Sequence, residues 1–489
     1  TEKDLQLKDF NSDLERSTMV GMFGRVAYNY KQKYFLSVTL RRDASSKFGE
    51  NTRWGTFPSY AIAYTFSEEP YMDWARDFLD FGKIRLSYGK SGKQFEYPYF
   101  AFGVLIVNNI PFHGNQTITP YWPNGLINPK LSWEETKQFD AGLDLEFFGN
   151  RLSLELDYYY RYTDKLLAQV TLPGDYNAYT AQWQNAYAIS NQGIELQIKA
   201  DLIRSEKLHW DFSFNIARNW NRFEKSNNGM DFTNLASKHN LNIIGKPLNG
   251  IYVYNDEGYY NSQDEVPLYY VNGRRKYLSS LGNQIYSSGD RRIQDVDGNG
   301  QVATMVPLLE DRVYGGSPLP LAFGGIVSTL KWKGIDVNLL FSYKLGRHVL
   351  NAGRGASVGT ILRANTAEMM VPILADLDKV SFWQKPGDNT DFPINELENG
   401  KNNFATNLKS NVEKINYLKL KSISIGYILP VFPKQSKHYA RVFMSVENVF
   451  TITNSSSPDP ESIDIVTGVD SNNNYPLATR FTLGLTLNL

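Results

Sequence analysis

Gln138–Phe147, with the sequence QFDAGLDLEF, alternates strictly between polar and apolar side chains. Successive side chains of a β-strand point to opposite faces, so this pattern predicts a strand rather than a helix. One face would carry only apolar residues: Phe139, Ala141, Leu143, Leu145 and Phe147. The other face would carry Gln138, Asp140, Gly142, Asp144 and Glu146. The stretch therefore predicts a strand between an apolar and a wet environment.

The same alternation recurs along the chain, in segments 152–158, 194–202, 210–216, 335–342 and 481–489. The predicted strands run about 10 to 16 residues, whereas strands of soluble sandwiches are typically about 5 to 6 residues long. A tilted strand needs about 9 to 11 residues to cross a bilayer. The pattern thus favours an all-β transmembrane antiparallel barrel, with a soluble repeat-type β protein as the alternative.

Connector lengths also alternate, between short turns and long polar segments. The short turns are predicted near 29–33, 148–151, 204–207 and 332–334. The long segments are predicted at 91–131, 163–185, 222–319, 348–411 and 453–475. Short periplasmic turns and long extracellular loops are typical of outer-membrane barrels.

The strand count gives a further constraint. The predicted strands are 18–30, 33–45, 54–67, 80–91, 132–148, 151–163, 186–202, 207–221, 320–332, 335–347, 412–428, 438–452 and 476–489. Bacterial single-chain barrels have an even strand number with both ends in the periplasm. The predicted set has about thirteen strands, which is an odd number, and its first strand starts outside the cell. Such a set does not have both ends in the periplasm. We therefore expect residues 1–489 to be the C-terminal portion of a larger barrel, or one half of a split barrel.

Composition excludes several classes of function. The 489 residues contain no cysteine, which rules out thiol catalysis and disulfide scaffolds, and 51 basic residues balance 51 acidic ones, which argues against nucleic-acid binding. Mean hydropathy is −0.40 although 14% of residues are aromatic. No apolar run approaches the ~18 to 20 residues of a membrane helix. A membrane location therefore requires strands.

Enzyme motifs are missing too. The five histidines are scattered without an HExxH spacing, and neither a GxSxG elbow nor a Walker loop occurs. We expect no enzymatic activity and no catalytic cofactor, although an unrecognised membrane hydrolase stays open as an alternative.

Motifs spread along nearly the whole chain resemble the C-terminal part of SusC/RagA-type TonB-dependent transporters of the Bacteroidetes. They lie at 24–26, 34–36, 41–49, 55–59, 83–89, 133–136, 191–195, 289–290, 311–313, 417–420, 446–450 and 475–489. Each is weak alone, but their number and order make the resemblance specific. Departures are the plug domain and the TonB box, which are not seen here.

The resemblance implies a 22-stranded barrel in the outer membrane, filled by an N-terminal plug and driven by the TonB complex. Nutrient import is expected, of an oligosaccharide or peptide captured with a SusD-type surface lipoprotein. On this reading residues 1–489 are the barrel domain's C-terminal portion, and the plug and the N-terminal strands lie outside it. A passive surface receptor or adhesin is the alternative.

The sharpest local motif is Asp295-Val296-Asp297-Gly298-Asn299-Gly300-Gln301. Oxygen side chains at positions 1, 3 and 5, a glycine at 6 and a backbone carbonyl at 7 suit Ca²⁺, which takes 6 to 8 oxygen ligands. Val306 stands where an EF-hand has its bidentate Glu. The family resemblance supplies Asp311 before Arg312 as the closing ligand. We expect a structural Ca²⁺ or Mg²⁺ site here, or else a loop of Asp and Asn turns.

Aromatic residues in the predicted loops are candidates for stacking on a ligand in the substrate cavity. They are Tyr97, Tyr121, Trp122, Trp183, Tyr187, Tyr259 and Tyr260. Membrane-interface girdles and packing inside the loops are the competing explanations.

The last predicted strand carries a second signal. Its apolar face is formed by Phe481, Leu483, Leu485, Leu487 and Leu489. It resembles the terminal signal that the outer-membrane assembly machinery recognises, and it is also expected to face lipid.

Overall fold

The computed structural model describes most of the chain. The described residues are 16–97, 101, 106–112, 115–121, 126–172, 181–226, 232–233, 239–271, 273–280, 283–302, 311–353, 381–394, 405–429, 439–471 and 475–488. Within them, no helix is long and apolar enough to cross a bilayer. The short 3₁₀ helices are Phe66–Glu68, Pro70–Ala75, Gln263–Glu265 and Lys409–Asn411.

One large antiparallel sheet contains thirteen long strands in unbroken sequence order. They are β1 (Met19–Tyr30), β2 (Tyr34–Ser45), β3 (Trp54–Thr65), β4 (Leu79–Lys93), β5 (Glu134–Phe147), β6 (Leu152–Thr171), β7 (Ala181–Arg204), β8 (Leu208–Ser226), β9 (Ala322–Trp332), β10 (Ile335–Asn351), β11 (Val412–Leu429), β12 (Tyr439–Thr453) and β13 (Arg480–Asn488). The thirteen predicted strands are confirmed. A two-residue segment, Val469–Asp470, pairs in parallel with β10 as the fourteenth member of this sheet.

Cross-strand rows on one face of neighbouring strands keep apolar residues together, as the alternation predicts. In one row Tyr34 of β2 pairs with Tyr64 of β3, which pairs with Ile84 of β4. On the other face, Arg85 of β4 lies opposite Gly142 of β5, and Ser87 lies opposite Asp140. Directly opposite residues share a face, so in these rows the outer face is apolar and the inner face is polar. An apolar outer face and a polar inner face are the arrangement of a barrel in lipid.

Several strands are longer than predicted, and β6 and β7 most of all. β6 has 20 residues and β7 has 24, so both extend into the segment 163–185 that the sequence suggested was a loop. The register shifts between Thr163 and Leu167, which marks a bulge where β6 continues beyond the alternating part. The extension breaks the two-residue period, and this explains why the sequence pattern ended too early.

The extracellular segments form small sheets of their own. Gly250–Tyr254 pairs with Arg312–Gly316 and belongs to a four-stranded sheet with Asn240–Asn242 and Phe232–Thr233. Four further strand pairs are Asp256–Tyr259 with Arg291–Ile293, Leu268–Val271 with Arg274–Tyr277, Ser279–Ser280 with Gln301–Val302, and Ile106–Phe112 with Asn115–Tyr121. Several of these strands pack around an apolar cluster of Tyr254, Tyr260, Val266, Leu278, Tyr286, Ile293, Val302 and Leu408. The segment 222–319 is thus largely a folded cap rather than a loose polar excursion.

Candidate functional site

The predicted metal ligands come from two parts of the extracellular cap. Asp295 and Asp297 lie in a turn after the strand Arg291–Ile293, and Asp311 lies just before the strand Arg312–Gly316. Carboxylate oxygens of these three residues all lie within 4.8 Å of one another. Folding therefore brings together residues that are 14 to 16 positions apart in the sequence.

Backbone hydrogen bonds fix the orientation of the three carboxylates. Asp295 accepts from the N–H groups of Gly298 and Gly300, each at 2.8 Å. Asp311 is fully buried and accepts from the N–H of Val296 at 2.9 Å. Gly298 and Gly300 have φ of +73° and +81°, which side chains other than glycine rarely adopt. The turn is therefore built to aim Asp295 and Asp311 at one point.

The remaining two predicted ligands have other hydrogen-bond partners. The side-chain amide of Asn299 donates to Asp297 at 2.7 Å, and the side-chain amide of Gln301 donates to Asn283 at 3.0 Å. Gln301 also lies in the parallel pair of Ser279–Ser280 with Gln301–Val302. The three carboxylates lie close enough to share one ion, and clustered oxygen atoms fit a hard divalent cation. The Asn299 side chain and the backbone carbonyl of Gln301 stay predicted as further ligands.

The field of these carboxylates reaches a neighbouring tyrosine. Burial, followed by the negative charge of Asp295, raises the pKa of Tyr269 to about 12. Tyr269 lies in the strand Leu268–Val271 and packs against Gly300 and the apolar cluster of the cap. The candidate metal turn is therefore coupled to the core of the cap.

Two of the aromatic candidates lie together at the outer end of the sheet. The ring centroids of Tyr97 and Trp183 are 6.0 Å apart, and Trp183 also meets Phe95 edge-on at 5.0 Å. Tyr97 is 45% exposed. Trp183 packs against an apolar cluster that contains Phe95 and Trp133.

The other aromatic candidates differ in what they offer. Tyr187 is half-buried against Phe223, with ring centroids 5.6 Å apart. Tyr259 donates to the carbonyl of Thr390 at 3.1 Å, and the guanidinium of Arg291 lies over its ring. Tyr260 is only 1% exposed, inside the cap core, so the expectation that it faces a ligand is wrong. Trp122 and the side chain of Tyr121 lie outside the described residues.

The inner wall carries a compact charged network that alternation alone did not identify. Arg85 donates to Asp144 at 2.7 Å and to Asp157 at 3.0 Å, and it lies 3.4 Å from Glu155. Further round the wall, Arg441 pairs with Asp336. One guanidinium among three carboxylates leaves this part of the wall acidic.

A loop between β12 and β13 is fastened to the wall by buried charges that the sequence reading also missed. Lys419 of β11 is 3% exposed and lies 3.1 Å from Asp459 and 3.0 Å from Glu461. Arg347 of β10 is 1% exposed and donates to the carbonyls of Pro318, Ile463 and Asp464. The loop 454–471 therefore lies against β10 and β11 instead of projecting freely.

Residues 4–353 match a family model described as TonB dependent receptor-like, beta-barrel. TonB-dependent receptor P3 of Formosa agariphila is 30% identical, in an alignment that covers 98% of this chain and 46% of that protein. TonB-dependent receptor SusC of Bacteroides thetaiotaomicron is 27% identical, over 99% of this chain and 45% of that protein. The chain spans about half the length of the curated relatives it matches.

A solved structure has the same fold. The structure of the RagAB peptide transporter superposes with a TM-score of 0.73 at 23% identity, over 96% of this chain and 48% of that chain. The likeness extends over nearly all of the sheet and its extracellular segments.

Proposed function

The chain belongs to the TonB-dependent receptor-like β-barrel family and lies in the outer membrane, and we propose on that basis that it forms part of the wall of a nutrient importer. The observation that carries this proposal is the match to TonB-dependent receptors over nearly the whole chain. The polar, charged inner face and the folded extracellular cap support it, because an importer needs a wet passage below a ligand-binding surface.

We infer that the whole protein captures an oligosaccharide or a peptide together with a SusD-type surface lipoprotein. The fold shared with a RagAB peptide transporter supports a peptide, whereas the oligosaccharide rests on the SusC/RagA resemblance of the sequence motifs. The TonB complex would then act through a plug domain outside residues 1–489. Tyr97, Trp183 and Tyr187 are the described aromatic residues that we propose near the ligand.

Uptake measurements separate the importer from a passive receptor. The full-length protein with its neighbouring lipoprotein is purified, and mass spectrometry identifies the ligand that it retains. Labelled ligand should then enter wild-type cells and only bind to the surface of cells that lack TonB. Binding without entry in wild-type cells would instead support a receptor or adhesin, and chemical conversion of the ligand by the purified protein would support an enzyme.

We further propose that Asp295, Asp297 and Asp311 hold a structural Ca²⁺ or Mg²⁺. The three converging carboxylates support this site, because a bound cation would offset their mutual repulsion. Its role would be to hold the turn against the core of the cap rather than to take part in chemistry.

Metal removal from the full-length protein tests this second proposal. A chelator should increase amide hydrogen exchange in residues 293–302, and added Ca²⁺ should reverse the increase, since a ligand stabilises the state that binds it. Asp297→Asn should abolish the response, whereas Asp264→Asn, at an exposed position in the neighbouring 3₁₀ helix, should keep it. Equal exchange with chelator and with Ca²⁺ would exclude a structural cation.

A further inference from the structure

Of the periplasmic connectors that the structure describes, the one between β3 and β4 is by far the longest. The described turns on that side have two to four residues, as at Lys333–Gly334 between β9 and β10, but residues 66–78 separate β3 from β4. The connector contains the 3₁₀ helices Phe66–Glu68 and Pro70–Ala75. A simple hairpin between neighbouring antiparallel strands needs only a few residues, so this length calls for another explanation.

The connector lies against the lipid-facing side of the sheet. The hydroxyl of Tyr34 donates to Glu69 at 2.8 Å, and the hydroxyls of Tyr64 and Tyr71 are 2.8 Å apart. Tyr34 and Tyr64 belong to the outer, apolar row that continues to Ile84. The ring of Phe66 covers Gly82 so closely that a Cβ there would lie 2.5 Å from it. The connector is therefore held outside the wall, not inside the lumen.

Large side chains of the connector remain uncovered. Tyr71 is 60% exposed, Trp74 is 72% exposed and Phe78 is 38% exposed, and the rings of Trp74 and Phe78 are 5.9 Å apart. Ala75 on the same helix is buried, so the helix has one face on the protein and one aromatic face turned away. Asp73 and Arg76 form an exposed ion pair at 2.8 Å beside this aromatic face.

We propose that residues 66–78 form an interfacial foot that inserts Tyr71, Trp74 and Phe78 among the phospholipids of the periplasmic leaflet. The aromatic face is continuous, through Tyr71 and Tyr64, with the apolar outer face that the bilayer covers. Tyr and Trp prefer the boundary between acyl chains and water, and the Asp73–Arg76 pair lies where it can stay hydrated. The foot fixes the depth of the periplasmic rim in the membrane.

A spin label measures that depth directly. Because residues 1–489 contain no cysteine, Trp74→Cys is labelled in the full-length protein after any other cysteine has been replaced, and the protein is placed in phospholipid bilayers. Glu206→Cys, in the short turn between β7 and β8, is the matched position on the same rim. Oxygen dissolves in lipid, whereas the nickel chelate stays in water. The ratio of the label's collision rate with oxygen to its collision rate with the chelate should be several-fold higher at position 74 than at position 206.

Two outcomes would overturn the proposal. Equal accessibility of positions 74 and 206 to the nickel chelate would place the connector in water. Protection of position 74 from both oxygen and the chelate would mean that protein covers it. Phe78→Cys provides a second label, so that a folding defect of Trp74→Cys leaves the depth measurable.

Discussion

At the level of single residues, the buried Lys419 cluster is the clearest determinant of loop position. Replacing Lys419 with Met leaves Asp459 buried without its charged partner, which costs about 3–5 kcal/mol. We expect the free energy that keeps loop 454–471 closed to fall by this amount. Amide hydrogen exchange in the loop should then be faster.

The control for this change is Arg480→Met. Arg480 and Glu447 lie 3.7 Å apart, and their side chains are 74% and 46% exposed. Exposed pairs contribute little, so exchange in the loop should stay as in the wild type. Unchanged exchange in Lys419→Met as well would show that the buried pair does not hold the loop.

The same loop should respond to acid through Asp464. Hydrogen bonds from the backbone N–H and hydroxyl of Thr467 lower the pKa of Asp464. A lowered folded-state pKa stabilises the loop fully above the ordinary value of about 3.9 and loses that contribution as pH falls through the folded value. Protection of the amides of residues 464–468, corrected for the intrinsic pH dependence of amide exchange, should therefore fall below about pH 4.

Asp464→Asn tests the assignment. The variant should exchange faster than the wild type at neutral pH, and its response to acid should be smaller by the share that Asp464 contributes. Asp459 and Glu461, whose pKa values are also lowered, would account for the remainder. An identical acid response in both proteins would contradict a role for Asp464.

At the level of elements, β13 offers a direct test of which face meets lipid. Leu483 is 77% exposed on the outer face, where a lysine costs about 2–4 kcal/mol near the middle of the bilayer. Leu483→Lys should lower the denaturant midpoint of the full-length barrel in bilayers. Thr482→Lys, one residue earlier on the inner face, should leave it nearly unchanged. Equal losses in both variants would contradict the face assignment.

The element order could be predicted from sequence because lipid imposes a two-residue period on every crossing strand. Beyond the membrane this constraint ends, and so the outer parts of β6 and β7 were missed. The spacing at Asp295 predicted a ligand turn, the family resemblance added Asp311, and the structure brings these carboxylates together. Arg347 gave no signal, because its carbonyl partner Ile463 lies 116 residues away. Tyr260 was misjudged because composition does not tell a loop surface from a loop core.

For the molecule as a whole, the two edges of the large sheet determine how residues 1–489 behave alone. β1 and β13 are its end strands and are not paired with each other in the described residues. Open edges present unpaired N–H and C=O groups, which cannot be left in hydrocarbon. We expect the isolated chain to give no heat-modifiable barrel band on electrophoresis, and co-expression with the rest of the protein to restore one. Such a band from the isolated chain would contradict this expectation.

The length of β7 also determines how far the protein projects from the outer membrane. At ~3.3 Å per residue and a tilt of ~40°, a strand of 24 residues rises about 60 Å, against an apolar band of about 25 Å. Because the turn after Arg204 is short, little of the strand beyond the apolar band lies in the periplasm. Most of that extra length projects above the outer leaflet. A large molecule that approaches from outside the cell would therefore reach this projecting part and the cap before it reached the membrane-spanning strands. Because lipid does not constrain these positions, their side chains can change without cost to the membrane-spanning part of the strand.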